Sequence, residues 1–440
     1  MPWCGGRRCA VANNDGNGFF AERQERSLRK RIIANKWLVG SLIVAIVLVF
    51  ALTRRGRWHS SAAPARVAIP SEAAAIVAQR TNAPKPPKPL VDDSGTVEIC
   101  GVGKVPIDSG DPLALNQRVG ALTKGAGARW LSALQDSSDL RARVAGLLLE
   151  GRMTGDEPMQ PASEQTRDAL VQLAVGAGDP AVYAMAVSIC SADQGAPADG
   201  TCQQISLRRW AQLDPDNAVP WLLLAGQARE RQDRAAEADA FSQAALAHKV
   251  DSYNYSLYAF SESEMPNDVT PLERFYLSVE LVGHESAMQA PQYSIASRHC
   301  SADALQDADV RQQCNALAEL LVTRGTTMLD LGAGTHIGAL AGWSAQRVNA
   351  LTQKKMALMQ ALMQETPSAN EEMWTCDGVR RGNAYMSQMA QSGELGAARD
   401  ALDRSGETVP ALAQKQQDFI DKLIRDASER QQQEPSEPAQ

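Results

Sequence analysis

The segment whose residue types come closest to a chemical site is LDLGAGTHIG, at residues 329–338. In nucleoside-cofactor sites, such glycines follow a strand, form a tight turn and let the backbone approach the cofactor where a helix begins. Asp330, Gly332 and Gly334 fit the first part of this pattern, whereas His336 stands where the third glycine should be. A working loop would also need an acidic residue after the next strand, to bind the ribose hydroxyls.

The flanks of this segment argue against the loop of an S-adenosylmethionine methyltransferase. Upstream, Leu317, Leu320 and Leu321 lie at helical spacing rather than in a buried strand. Downstream, residues 339–364 continue as a helix, without a second strand or a suitable acid. We therefore interpret residues 329–338 as a loose turn, or a poorly capped helix, between two helices.

Two shorter segments also fall short of binding motifs. CGVGK at residues 100–104 lacks the earlier glycine and the Ser or Thr of a phosphate-binding loop. HESAM at residues 284–288 places Met288 where a zinc-peptidase helix needs its second histidine. We predict no catalytic, cofactor-binding or metal site, and no cofactor.

An enzyme remains an alternative if distant carboxylates converge in the fold. The candidate pairs are Glu150 with Asp156 and Glu371 with Glu372. Because catalytic acids and bases have shifted pKa values, a cleft that contains strongly shifted carboxylates would support this alternative.

The cysteines indicate a disulfide framework. After residue 53 the chain carries six of them, Cys100, Cys190, Cys202, Cys300, Cys314 and Cys376. The second and third, and the fourth and fifth, are close enough in sequence to link the arms of helical hairpins, which leaves the first and last for a long-range pair. A zinc site is disfavoured because no CxxC is present. Free buried thiols, and a Cys300 thiolate activated by His299, stay open as alternatives.

An uncharged apolar segment at residues 37–53, WLVGSLIVAIVLVFALT, is long enough for a membrane-spanning helix. A cleaved signal peptide is disfavoured, because 36 residues precede the segment and an Arg-Arg pair follows it. Basic residues are more numerous before the segment than after it, which favours a cytoplasmic amino terminus. Disulfides beyond the segment would agree with an exported domain. We predict a single-pass inner-membrane protein with a periplasmic carboxyl-terminal domain.

The remaining chain divides by composition. We predict a basic, disordered tail at 1–36, an Ala/Pro-rich linker at 54–90, a short β-like segment at 91–112, a helical domain at 113–425 and a disordered tail at 426–440. The hydrophobic content of 44% comes with only 5% aromatic residues, which favours helices over sheets. The net charge of −7 gives no basic surface for nucleic acid.

Residues 213–249 resemble one tetratricopeptide repeat, a pair of antiparallel helices. The positions that match the packing residues of this family are Trp221, Leu224, Ala225, Ala228, Phe241 and Ala244. Small residues at 225 and 228 would let two helices approach closely, and the aromatic side chains would fill the space between hairpins. The departures are a small residue at 228, Gln232 at the usual turn glycine and Lys249 at the closing proline. No second clean copy follows at the repeat period.

The resemblance implies an all-α fold, an irregular α/α superhelix behind a single amino-terminal transmembrane helix. A lone helical pair cannot bury its apolar faces, so neighbouring hairpins should stack on it. The resemblance also implies protein binding, and we expect a scaffold or assembly factor of the bacterial envelope whose groove binds an unknown protein or peptide. The exposed groove contacts would include Gln227 and Arg231. A structural subunit that binds through its membrane helix is the alternative.

Overall fold

A computed structural model describes residues 96–106, 112–153, 163–191, 200–253, 256–286, 293–366 and 373–433. Contacts divide the chain into residues 1–85 and 86–440, and every described residue belongs to the second unit. The predicted tail at 1–36, membrane segment at 37–53 and linker at 54–90 lie outside the described residues. Among the helices that are described, none has the length and apolar character to cross a membrane.

The fold is mostly helical, as the sequence predicts. Strands β1 (Thr96–Ile99) and β2 (Gly103–Pro106) form one antiparallel hairpin inside the predicted β-like segment. The helices are α1 Pro112–Asp136, α2 Leu140–Met153, α3 Glu164–Ala177, α4 Pro180–Ser191, α5 Leu207–Leu213, α6 Ala218–Glu230, α7 Arg234–Leu246, α8 Ser256–Glu262, α9 Pro271–Ser286, α10 Tyr293–His299, α11 Ala308–Arg324, α12 Met328–Leu340, α13 Ala345–Glu365, α14 Cys376–Ser405 and α15 Val409–Gln433. Short 3-10 helices span Gly200–Gln204 and Ala304–Gln306.

Local sequence signals explain how consecutive helices are separated. Asp139 begins α2 by accepting a 2.8 Å hydrogen bond from the backbone N–H of Arg141. Gly178 ends α3 in the left-handed conformation, at a φ of 67°. The carboxylate of Asp179 then caps α4 through the N–H of Ala181, at 2.9 Å. Helical hairpins such as α1–α2, α3–α4, α6–α7 and α11–α12 follow from such turns.

Most of the described helices share one core. It extends from Trp130 on α1 through Phe241 on α7 to Ile337 on α12, and all three side chains are fully buried. The β-hairpin packs on a smaller cluster that includes Phe275 and Trp374. The first strand is attached there by the Cys100–Cys376 disulfide and by a backbone hydrogen bond from the N–H of residue 100 to the carbonyl of Trp374.

Two predictions from the sequence are corrected. The glycine-rich segment 329–338 is neither a loose turn nor poorly capped, because it lies within α12. The hydroxyl of Thr327 accepts from the N–H of Asp330, and the carboxylate of Asp330 accepts from the N–H of Thr327. The predicted disorder from 426 is also wrong at its start, because α15 continues to Gln433.

Candidate functional site

Residues 213–249 form the α6–α7 hairpin. Asn217 begins α6 by accepting from the N–H of Val219. At the other end, the N–H of Gln232 bonds the carbonyl of Arg229 and the N–H of Asp233 bonds that of Ala228, both at 2.9 Å. This pattern requires a left-handed residue, and Gln232 has a φ of 59°. The sequence indicated this position because the related repeats have glycine there.

A polar network joins the start of α6 to the chain that follows α7. The buried amide of Asn217 donates to Asp214 at 2.9 Å and to the carbonyl of Asp251 at 2.7 Å. Lys249 forms an ion pair with Asp214 at 2.9 Å, and the hydroxyl of Tyr253 donates to the same carboxylate at 2.7 Å. Burial, followed by the hydrogen bond to Asp214, raises the pKa of Tyr253. The network fixes the hairpin geometry.

A groove with two adjoining lobes runs along the outer side of this hairpin. Lobe 1 has a volume of about 510 Å³ and lies between α4, α5 and α6; it is lined by Val187, Cys190, Cys202, Ile205, Ser206, Leu207, Arg208, Leu224, Gln227 and Arg231. Lobe 2 has a volume of about 360 Å³ and lies between α5, α6 and α7; it is lined by Arg208, Gln212, Trp221, Leu224, Ala228, Arg231, Ala236, Asp239, Ala240 and Gln243. Arg208, Leu224 and Arg231 line both lobes, which makes the groove continuous.

The residues predicted to pack the repeat divide into two groups. Ala225, Ala228, Phe241 and Ala244 are buried between helices. Trp221 and Leu224 are only half-buried, and they line the groove. The indole N–H of Trp221 donates to the carbonyl of Pro215 at 2.9 Å, which holds the ring in place.

Both predicted groove contacts, Gln227 and Arg231, are exposed and line lobe 1. The guanidinium of Arg231 lies 3.4 Å from the amide oxygen of Gln227. Sequence reasoning missed the opposite wall, which contains Arg208 on α5, because it confined the site to residues 213–249. The sequence does carry one signal for this wall. Ser206 is a helix-capping residue, and it places Arg208 in the first turn of α5.

The three cysteine pairs predicted from the sequence are those that the structure joins. The Cα–Cα distances are 5.6 Å for Cys190–Cys202, 5.9 Å for Cys300–Cys314 and 4.5 Å for Cys100–Cys376. The first pair forms part of the wall of lobe 1 and ties α4 to the 3-10 helix before α5.

His299 does not activate a thiolate, because Cys300 is bonded to Cys314. Its ring instead stacks on Phe241, with 3.9 Å between ring centroids, and Nδ1 lies 3.7 Å from the carboxylate of Glu237. Burial lowers the pKa of His299, against the opposing effect of Glu237. The histidine therefore packs α10 against α7.

A second group of perturbed side chains surrounds the start of α12. Burial raises the pKa of Asp330 and that of Glu394. The carboxylate of Asp330 is 3% exposed and accepts hydrogen bonds from the hydroxyl of Tyr293 and from the N–H groups of Thr326 and Thr327. Glu394 accepts from the N–H of Met328 at 2.8 Å. Both acids accept hydrogen bonds from the backbone N–H groups at the start of α12.

The glycines of α12 serve helix packing. A Cβ on Gly334 would lie 2.8 Å from the Cβ of Leu321 on α11, and one on Gly338 would lie 2.3 Å from the ring of Trp343. Of the carboxylate pairs considered for an enzyme, Glu150 is exposed on α2, whereas Asp156, Glu371 and Glu372 lie outside the described residues. Within the described part of the chain, no cluster of three His, Cys, Asp or Glu side chains could hold a metal ion.

No protein-family model, curated protein or solved structure matches the chain.

Proposed function

We propose that this protein is a membrane-anchored helical-repeat scaffold or assembly factor of the bacterial envelope, and that its α5–α7 groove binds a protein segment. The single observation that carries the proposal is the groove itself. It combines half-buried apolar side chains, Trp221 and Leu224, with a few polar side chains that can fix orientation. Its walls come from α4 to α7, which the Cys190–Cys202 disulfide and the Asn217 network hold in place.

The length of α6 sets how much of an extended peptide could lie along it. Helix α6 has 13 residues, which corresponds to a length of about 20 Å at about 1.5 Å per residue. An extended chain advances about 3.3 Å per residue, so roughly six residues would match the length of α6. The similarity of residues 213–249 to a tetratricopeptide repeat is what favours a peptide over a small molecule as the ligand.

The envelope location is part of the proposal. It is supported by the apolar segment at 37–53 and by three cysteine pairs at bonding distance, since such pairs persist in oxidising compartments. Peptide mapping of protein purified under thiol-blocking, non-reducing conditions should recover all three linked pairs. Recovery of six blocked free thiols would contradict a periplasmic domain.

The groove is tested by blocking it. Full-length protein with an affinity tag is captured, after in-cell cross-linking, from cells that naturally produce it, and associated proteins are identified by mass spectrometry. Gln227→Trp places a large side chain in lobe 1 from an exposed helical position, so folding should be retained. Gln353→Trp makes the same change at an exposed position of α13, away from the groove.

We expect a defined partner with the wild-type protein and with Gln353→Trp, and its loss with Gln227→Trp. The circular dichroism spectra of both variants should match the wild type. A partner that both variants retain would contradict groove binding, and it would point to the membrane segment if replacing residues 37–53 with an unrelated span removed it.

A further inference from the structure

Arg208 and Arg231, at the junction of the groove lobes, contrast with several arginines of the domain that are held by a carboxylate. Arg141, Arg229, Arg347 and Arg404 each have a carboxylate partner at 2.6–2.8 Å. Among the described residues, neither Arg208 nor Arg231 forms an ion pair; Arg231 reaches only the amide of Gln227, at 3.4 Å. Both side chains are exposed.

The charges of the groove depart from those of the whole protein. The net charge of the chain is −7, which on balance disfavours an acidic ligand. The described residues that line lobe 1 include two arginines and no acid, and lobe 2 adds one acid, Asp239. The boundary between the lobes is therefore a local positive site within an acidic molecule.

Apolar side chains lie on both sides of this positive site. Leu224 lines both lobes, as the arginines do, Trp221 borders lobe 2, and Val187 and Ile205 border lobe 1. Guanidinium groups bind carboxylates through two parallel hydrogen bonds, and they are more weakly hydrated than ammonium groups. A carboxylate next to an apolar side chain complements this arrangement.

We propose that the groove selects an acidic peptide segment, in which one Asp or Glu side chain is held between Arg208 and Arg231 and a neighbouring apolar residue enters a lobe beside Leu224. This inference rests on the proposed function and specifies the partner chemistry. It predicts selectivity for charge at one position of the peptide, with apolar contacts on at least one side of it.

The probe is a phage-displayed library of random dodecapeptides, selected on the full-length protein in a mild detergent. Selection on wild type, on the blocked variant Gln227→Trp and on the double variant Arg208→Gln/Arg231→Gln gives three sequence sets. Arg234→Gln is the matched control, because it removes one exposed positive charge at the start of α7 without lining the groove.

We expect wild type and Arg234→Gln to select peptides that carry an acid next to an apolar residue, and the double variant to lose that preference. A selected peptide and its amide analogue, with Gln for Glu or Asn for Asp, then give the magnitude by fluorescence anisotropy. The amide analogue should bind wild type at least roughly tenfold more weakly, and the two peptides should bind the double variant equally.

The two proposals fail in different ways. Peptides that are lost with Gln227→Trp but show no acidic preference would overturn this inference and leave groove binding intact. An acidic preference that the double variant retains would also overturn it. If no enriched peptide depends on Gln227, groove binding itself fails.

Discussion

Hairpins α6–α7 and α11–α12 are built alike, and they differ in what their polar residues do. Each consists of two helices joined by a short turn, and α7 packs against α11 in the same core. In α6–α7, polar side chains join the start of α6 to the chain that follows α7, and the outer face of the hairpin forms a groove. We call it the open hairpin. In α11–α12, buried acids accept hydrogen bonds at the start of α12, and glycines let the two helices pack closely. We call it the closed hairpin.

The comparison shows that residue types alone do not identify a site. The segment 329–338 has the glycines and the acid of a cofactor loop, yet these residues cap a helix and let it approach its neighbours. The groove along α6 is lined by residues such as Leu224, Trp221, Gln227 and Arg231, which together form no chemical motif. The open face, rather than a motif, is what distinguishes the site that we propose binds a ligand.

The largest expected effect is on packing in the closed hairpin. Gly334→Ala places a Cβ 2.8 Å from that of Leu321 and 2.9 Å from the carbonyl oxygen of Ala318. We expect a loss of about 2–3 kcal/mol in the free energy of unfolding, measured by urea denaturation. Gly176→Ala, at an exposed helical position with open space around it, should instead stabilise by about 0.5–1 kcal/mol. Equal effects at the two positions would refute the close approach of α11 and α12.

The buried acid Glu394 should make stability depend on pH. Burial raises its pKa in the folded state, so its contribution is complete below the ordinary glutamate pKa and is lost as the pH rises through the raised value. Glu394→Gln keeps an oxygen to accept from Met328. Over that pH window, we expect the variant to lose stability less steeply, by up to about 1.4 kcal/mol per pH unit. Unfolding curves with identical pH slopes would disagree with the buried position of this carboxylate.

In the open hairpin, one substitution in the turn should raise the stability of the protein. Gln232 occupies a left-handed conformation that costs about 1–2 kcal/mol for a residue with a Cβ, and glycine would remove that cost at some expense of unfolded-state entropy. We expect Gln232→Gly to stabilise by about 0.5–1 kcal/mol in thermal and urea unfolding. The reverse comparison is Gly178→Ala, at a φ of 67°, which should destabilise by about 1 kcal/mol. Destabilisation by Gln232→Gly would mean that the Gln side chain itself supports the turn.

The smallest effect on stability is expected at the groove arginines. Arg208 and Arg231 are exposed and form no ion pair within the described chain, so Arg208→Gln and Arg231→Gln should each change the free energy of unfolding by less than about 0.5 kcal/mol. A loss above about 1 kcal/mol would assign these side chains a structural role in place of a binding role.

Local signals account for what the sequence predicted well. The helix ends at Asp139, Gly178 and Asp179 are locally encoded, because their caps involve residues close by in the chain. The cysteine pairs followed from their even number and the short spacing of two pairs. The exposure of Gln227 and Arg231 was also expected from the sequence, and both line the groove, whereas their contact with a ligand stays a prediction.

Of the remaining features, one was local but misinterpreted, and the others depend on contacts that are distant in sequence. The capping box of α12 is locally encoded by Thr327 and Asp330, but the apparent cofactor pattern masked it. The role of Glu394 requires the approach of α14 to α12, and Arg208 joins the groove only because α5 packs on α6. The periodicity of a single sequence does not reveal either contact.

The most direct test of the account is site-specific photo-cross-linking in living cells. A photoreactive amino acid is placed at Gln227 in the open hairpin or at Leu329, which is 51% exposed in the closed one. We predict a discrete cross-linked protein from position 227, lost when Arg208 and Arg231 are both changed to Gln, and none from position 329. A cross-link from position 329 alone would place the binding surface on the wrong hairpin and contradict the account.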